Sequence, residues 1–222
     1  MTQESINKLK VIQENIKNLS FDNSIIPEVI CISKTFGMDK ILPLINSGHR
    51  HFGENKVQET EKKWNEIRYK NDSIKLHLVG KLQSNKAKKA VELFDFIHSL
   101  DSTKLADNLQ KRENEIKKKL SYFIQVNIGN EPQKGGVQLH EVESFLKYCK
   151  TNTKLNIIGL MVIPPFDTDV EKYFSEISLL NTKLGFKHLS MGMSEDYKLA
   201  IKFKSTFLRI GSAIFGPRNI NK

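Results

Sequence analysis

Apolar residues at helical spacing alternate with short β-rich runs from one end of this sequence to the other, and no other feature limits the possible folds as much. Ile6, Leu9, Ile12, Ile16 and Leu19 form one face of an opening helix, and a polar stretch with Pro27 leads into a first strand at 29–33. A helix at 38–45, a strand at 50–53 and a helix with Val57, Thr60, Trp64 and Ile67 on one face follow. A third strand reads at 76–79, with Ser84 as the expected cap of a helix running to Leu93. The fourth strand is 96–100, after which Asp101 and Ser102 can cap a helix whose inner stripe is Leu105, Leu109, Ile116 and Leu120. Residues 122–128 make the clearest strand, followed by the loop GNEPQKGG, a helix at 139–148 and a sixth strand at 157–163. Val170, Phe174, Ile177 and Leu184 mark another helix, 188–191 a seventh strand, Ser194 a further cap, and 206–210 an eighth strand.

Repeated strand–helix units imply parallel strands joined by right-handed crossovers. Eight of them with no break in composition point to closure as a single (β/α)8 TIM barrel, an α/β fold spanning residues 1–222 as one domain. A doubly wound open sheet is the alternative. About a dozen residues follow the last strand, too few for a full closing helix, so the extra N-terminal helix is expected to cover that gap in the outer ring. The longest apolar stretches, such as 157–165, fall well short of the roughly 18 residues that cross a bilayer. No membrane span, signal peptide or membrane partner is expected. Cys31 and Cys149 lie far apart and in no metal-binding spacing, which suits a reducing cytoplasm, and Cys31 reads as a core residue.

A barrel binds ligands at the C-terminal ends of its strands, with phosphate often in the loops after strands seven and eight. That rule selects Lys34 after strand one, Glu54 and Asn55 after strand two, Ser194 after strand seven, and Arg209, Gly211 and Ser212 on and after strand eight. Ser194 at a helix start, with Gly211 and Ser212, offers an anion cup of amides and hydroxyls. A strand-end lysine among apolar neighbours is expected to lose proton affinity and expose its amine for imine formation. Arg209 is a buried guanidinium in need of a partner, either a ligand heteroatom or a carboxylate. His49 and His51 would share a strand face, with no third metal ligand evident, so hydrogen bonding or packing suits them better than metal binding. With Lys and Arg at 35 against Asp and Glu at 25, the formal charge of +10 attracts polyanions in general. Lys86, Lys88 and Lys89 could grip nucleic-acid phosphates, but without interleaved aromatics they read as a solvated helical face, and nucleic acid is not the expected partner.

The segments ICISKTFG, HFGENKVQE, LVGKLQSNKAKK, FIQVNIG, GLMVIPP, LSMGMSEDYKLAI and FLRIGSAIFGPRN resemble, in order and spacing from Ile30 to Asn219, the pyridoxal phosphate homeostasis protein family of the YggS/PROSC type. The resemblance implies a barrel similar to the alanine racemase N-terminal domain. It also implies pyridoxal 5′-phosphate held as an imine on Lys34, phosphate at Ser194, Gly211 and Ser212, and Arg209 facing the pyridine nitrogen. Phe36, Gly37, Lys81 and Pro217 depart from the usual motifs and leave loop details open. An arginine at the ring nitrogen disfavours ring protonation and hence strong carbanion chemistry. A racemase also needs a second base from a further domain, which is not expected after Lys222. The resemblance therefore implies a monomeric, non-enzymatic carrier that stores, buffers or delivers the cofactor, with pyridoxal-phosphate-dependent apoenzymes as recipients and indirect effects on amino acid and keto acid balance. A weak amino acid racemase is the alternative.

Overall fold

The computed structural model describes residues 2–20, 25–166 and 169–217. Helix α1 (Thr2–Leu19) is followed by β1 (Glu28–Ile32), α2 (Met38–Asn46), β2 (His51–Glu54), α3 (Val57–Lys70) and β3 (Lys75–Leu78). Then come α4 (Ala87–Leu93), β4 (Phe96–Leu100), α5 (Thr103–Ile116), β5 (Ser121–Asn127), the two-residue β6 (Val137–Gln138) and α6 (Val142–Asn152). The rest is β7 (Asn156–Val162), α7 (Val170–Lys183), β8 (His188–Ser190), α8 (Tyr197–Lys202), β9 (Phe207–Ile210) and α9 (Ser212–Phe215).

Every pairing is parallel, and the order β4-β3-β2-β1-β9-β8-β7-β5 closes through a β4–β5 pairing. The sheet is the expected eight-stranded barrel, not an open doubly wound one. Alternation along each strand divides two cores. On β1, Ile30 and Ile32 point into the barrel and meet Phe123, Met161 and Phe207, while Val29 and Cys31 face the helices. The first helix packs against α2, α8 and α9 and so covers the short final crossover. Within it Leu9, Ile12 and Ile16 are buried, whereas Leu19, expected on the same face, is 42% exposed at the helix end.

Two local details differ from expectation. Ser84 opens a 3-10 turn (Ser84–Lys86) and makes no side-chain cap, so the α-helix starts only at Ala87. Ser102, by contrast, accepts from the Leu105 amide as expected. The glycine-rich loop 129–136 leads into β6, a short strand beside Val126 and Asn127 too brief for any periodic signal. Two residues of the last motif, Arg218 and Asn219, lie outside the described residues.

Candidate functional site

At the C-terminal end of the barrel a cavity of about 350 Å³ is lined by Lys34, Asn55, Ser194, Arg209, Gly211 and Ser212, together with Phe36 and other residues. Six of the seven residues picked by strand-end position thus converge on one mouth, although the first and last of them are 178 positions apart in number. Lys34 is half-buried on a tight turn closed by a bond from the Phe36 amide to the Ser33 carbonyl (3.1 Å). Thr35 sits in the left-handed region at φ 70°, costly for a β-branched residue. Its amide donates to Glu59 Oε1 at 2.8 Å, which holds the turn in place.

Glu54 does not face the mouth as expected. Pointing outward from β2, it is fully buried beneath α3, where Oε1 accepts from Ser33 Oγ (2.7 Å), Trp64 Nε1 (3.0 Å) and Lys63 Nζ (3.0 Å). Lys63 also donates to the Ser33 carbonyl at 2.9 Å, so this outward carboxylate braces the Lys34 turn from behind. Period-2 alternation from His51 would have put Glu54 on the outer face, and Glu59 and Lys63 at i, i+4 spacing signalled a partnered pair on α3. Asn55 reaches the cavity because Gly80 leaves room: a Cβ there would lie 2.3 Å from the Asn55 carbonyl oxygen. Phe36, a departure from the usual motif, stacks on Phe215 of α9 with centroids 4.8 Å apart.

Ser194 does not cap the helix that follows it. That helix starts at Tyr197, after Asp196, and Ser194 Oγ instead accepts from the backbone amides of Gly211 (3.3 Å) and Ala213 (3.2 Å) across the mouth. Two amides and two serine side chains therefore gather where the anion cup was expected. Gly192, at φ 91°, turns the chain there, and a Cβ would come within 2.6 Å of Ala200 Cβ. Arg209, 4% exposed, hydrogen-bonds no carboxylate among the described residues, although the charge of Asp196 acts on it. Its Nη1 donates to Ser190 Oγ and its Nη2 to the Val162 carbonyl, each at 2.8 Å. Burial lowers its pKa to about 10, so the guanidinium is still charged at neutral pH.

His49 and His51 do not share a face. His49 precedes β2, bonds the His51 carbonyl through Nε2 (2.8 Å) and lies edge-on to Phe52, whereas the His51 ring points into the barrel. Lys89 pairs with Glu61 (2.8 Å) and Glu92 (3.0 Å), as a solvated helical face would.

The family described as alanine racemase, N-terminal domain, matches residues 8–219. A pyridoxal phosphate homeostasis protein of Aquifex aeolicus is 37% identical over 195 residues, covering 84% of this chain and 85% of its own. Its namesake in Pasteurella multocida is 36% identical over 228 residues, covering 96% and 97%. The chain belongs to this family. A solved family member, PipY of Synechococcus elongatus PCC7942 with PLP bound, superposes with a TM-score of 0.81 at 33% identity, covering 92% of this chain and all of that one. Among the described residues no helix is long and apolar enough to cross a membrane.

Proposed function

We propose that this family member binds pyridoxal 5′-phosphate in the mouth cavity, carries it as an imine on Lys34, and serves cofactor homeostasis by storing, buffering or delivering it, without turnover of its own. The observation that carries this reading is the meeting, in one cavity, of a strand-end amine, a buried arginine and a cup of amides and hydroxyls. When bound, the cofactor supplies an aldehyde and an electron-accepting ring. The cavity volume falls within the range of about 300–1,000 Å³ typical of small-molecule pockets. Ser212 and, on exchanging Ser194 Oγ for the ligand, the Gly211 and Ala213 amides are suited to a phosphate, since charge-assisted donors of this kind favour an anion. The PLP-bound relative supports the same ligand.

Arg209 favours the carrier over the racemase. A charged guanidinium against the ring nitrogen would keep that nitrogen unprotonated, because two adjacent cations repel, and the ring would then draw electrons weakly. The buried free thiols Cys31 and Cys149 suit the cytoplasm, where recipient apoenzymes would take up the cofactor. The test is the absorption spectrum of protein loaded with pyridoxal 5′-phosphate, before and after borohydride, with peptide mapping. Lys34→Ala should lose the imine absorbance and resist trapping while keeping weaker, non-covalent affinity. Trapping chiefly at another lysine overturns the assignment, and turnover of isotopically labelled amino acids by the loaded protein would restore the racemase.

A further inference from the structure

Three histidines thread the barrel interior. His51 Nδ1 lies 3.0 Å from His77 Nε2, His77 Nδ1 lies 3.0 Å from His98 Nε2, and His98 Nδ1 lies 2.9 Å from Ser190 Oγ, the same hydroxyl that accepts from Arg209. His51 opens β2 at the end of the barrel opposite the mouth, with Nε2 at 3.9 Å from Glu28 Oε2, and borders a separate cavity of about 340 Å³ there.

Counting donors gives the chain a direction. Arginine only donates, so Ser190 Oγ accepts from it, and the buried hydroxyl hydrogen is left with His98 Nδ1 as its partner. His98 then carries its proton on Nε2 and donates to His77 Nδ1, and His77 donates likewise to His51 Nδ1. His51 Nε2–H is left facing Glu28. Each bond points the same way, and the electron-rich end of the aligned chain faces a buried guanidinium to which, among the described residues, no carboxylate is hydrogen-bonded. The rings are held for this: His77 stacks on Phe96 (centroids 4.3 Å apart, 7° between planes) and His98 on Phe123 (4.4 Å, 21°). Burial keeps His77 and His98 neutral, their pKa values well below the ordinary histidine range.

We propose that His51, His77, His98 and Ser190 are positioning residues of the mouth site, forming a one-way hydrogen-bonded relay that holds Arg209 from the far end of the barrel. The proposal rests on the reading above, in which Arg209 faces the cofactor ring. It deepens that reading by making ring recognition depend on side chains that never touch the ligand.

The test has two arms. In cofactor-free protein at neutral pH, long-range proton–nitrogen correlation spectra of 15N-histidine-labelled protein should show all three rings as the Nε2–H tautomer. Ser190→Ala, a small change next to Arg209, should turn His77 and His51 into tautomer mixtures, because the constraint at the head of the chain is gone. An Nδ1–H tautomer at any of the three rings in the parent protein, or a His51 signal indifferent to Ser190→Ala, overturns the relay. In the second arm His77→Phe, or His51→Phe at the half-buried end if the first does not fold, should weaken pyridoxal 5′-phosphate binding on the order of fivefold or more. A change below about twofold, with the tautomers as expected, overturns the positioning role. If the parent protein bound no pyridoxal 5′-phosphate at all, the cofactor reading would fail, while the tautomer spectra would still decide whether the relay exists.

Discussion

A single hydroxyl at the mouth does different work depending on which amides are near it. Ser194 Oγ already accepts from Gly211 and Ala213, so losing it would free those amides for an anion and partly offset the change. Ser212, exposed at the start of α9, has no such compensation. Ser212→Ala should therefore weaken pyridoxal 5′-phosphate by roughly ten- to a hundredfold, the worth of one bond to a charged group at about 1.5–3 kcal/mol, and leave unphosphorylated pyridoxal nearly unchanged. Equilibrium dialysis with both ligands measures this. Ser205 is the control. Fully buried at the opposite end of β9, its hydroxyl donates to the Met191 carbonyl at 2.7 Å, so Ser205→Ala should cost about 1–2 kcal/mol of stability and spare ligand affinity. Equal losses of phosphate-dependent affinity in both variants would contradict the orientation of β9.

Between elements, the buried carboxylate of Glu54 joins β2 to α3 and, through Lys63, to the turn after β1. Glu54→Gln keeps an acceptor for Ser33 and Trp64 but leaves Lys63, only 11% exposed, opposite a neutral amide, with the longer 3.5 Å pair to Glu59 as its remaining ion pair. Breaking one side of a buried pair costs on the order of 3 kcal/mol when the other charge is left alone, and because Glu59 still faces Lys63, urea unfolding should show a smaller loss, about 1–2 kcal/mol. The Lys34 turn should loosen as well, which slower borohydride trapping would report. Helix faces were legible in the sequence because burial follows their 3.6-residue period: Val57, Thr60 and Trp64 are all buried as expected. Glu113 on α5 was not. It is 1% exposed and accepts from the Leu120 amide (2.7 Å) and the Tyr122 hydroxyl (3.0 Å), partners supplied by the loop and strand that follow.

For the whole molecule, the buried histidines set the response to acid. Burial lowers the pKa of His49 to about 4 and takes His77 and His98 well below the usual range. Above about pH 6.5 these rings are neutral both folded and unfolded, and stability is at its plateau. Below that value the unfolded chain takes up protons that the fold refuses, so stability falls as pH falls, by about 1.4 kcal/mol per pH unit for each histidine. For His49 the loss continues to about pH 4. Asp101, whose carboxyl burial pushes upward, acts in the opposite direction but is one group against five histidines, since His51 and His188 are also shifted down by burial. The urea midpoint should therefore drop steeply between pH 7.5 and pH 5.5, and an unchanged midpoint would mean that these rings take up protons as readily in the fold as in the unfolded chain.

By itself the sequence determined the barrel and its mouth. Strand–helix alternation is a local, periodic signal, and parallel strands in a closed barrel all end at the same rim, so strand-end position sufficed to gather Lys34, Asn55, Ser194, Arg209, Gly211 and Ser212. Tertiary structure alone decided what those residues bond to. His98 meets Ser190 across 92 positions, Arg209 meets Val162 across 47, and Ser194 meets Ala213 across 19. The reason is geometric: such pairings depend on the register between strands inside a closed sheet, which is not written in the spacing of residues along the chain.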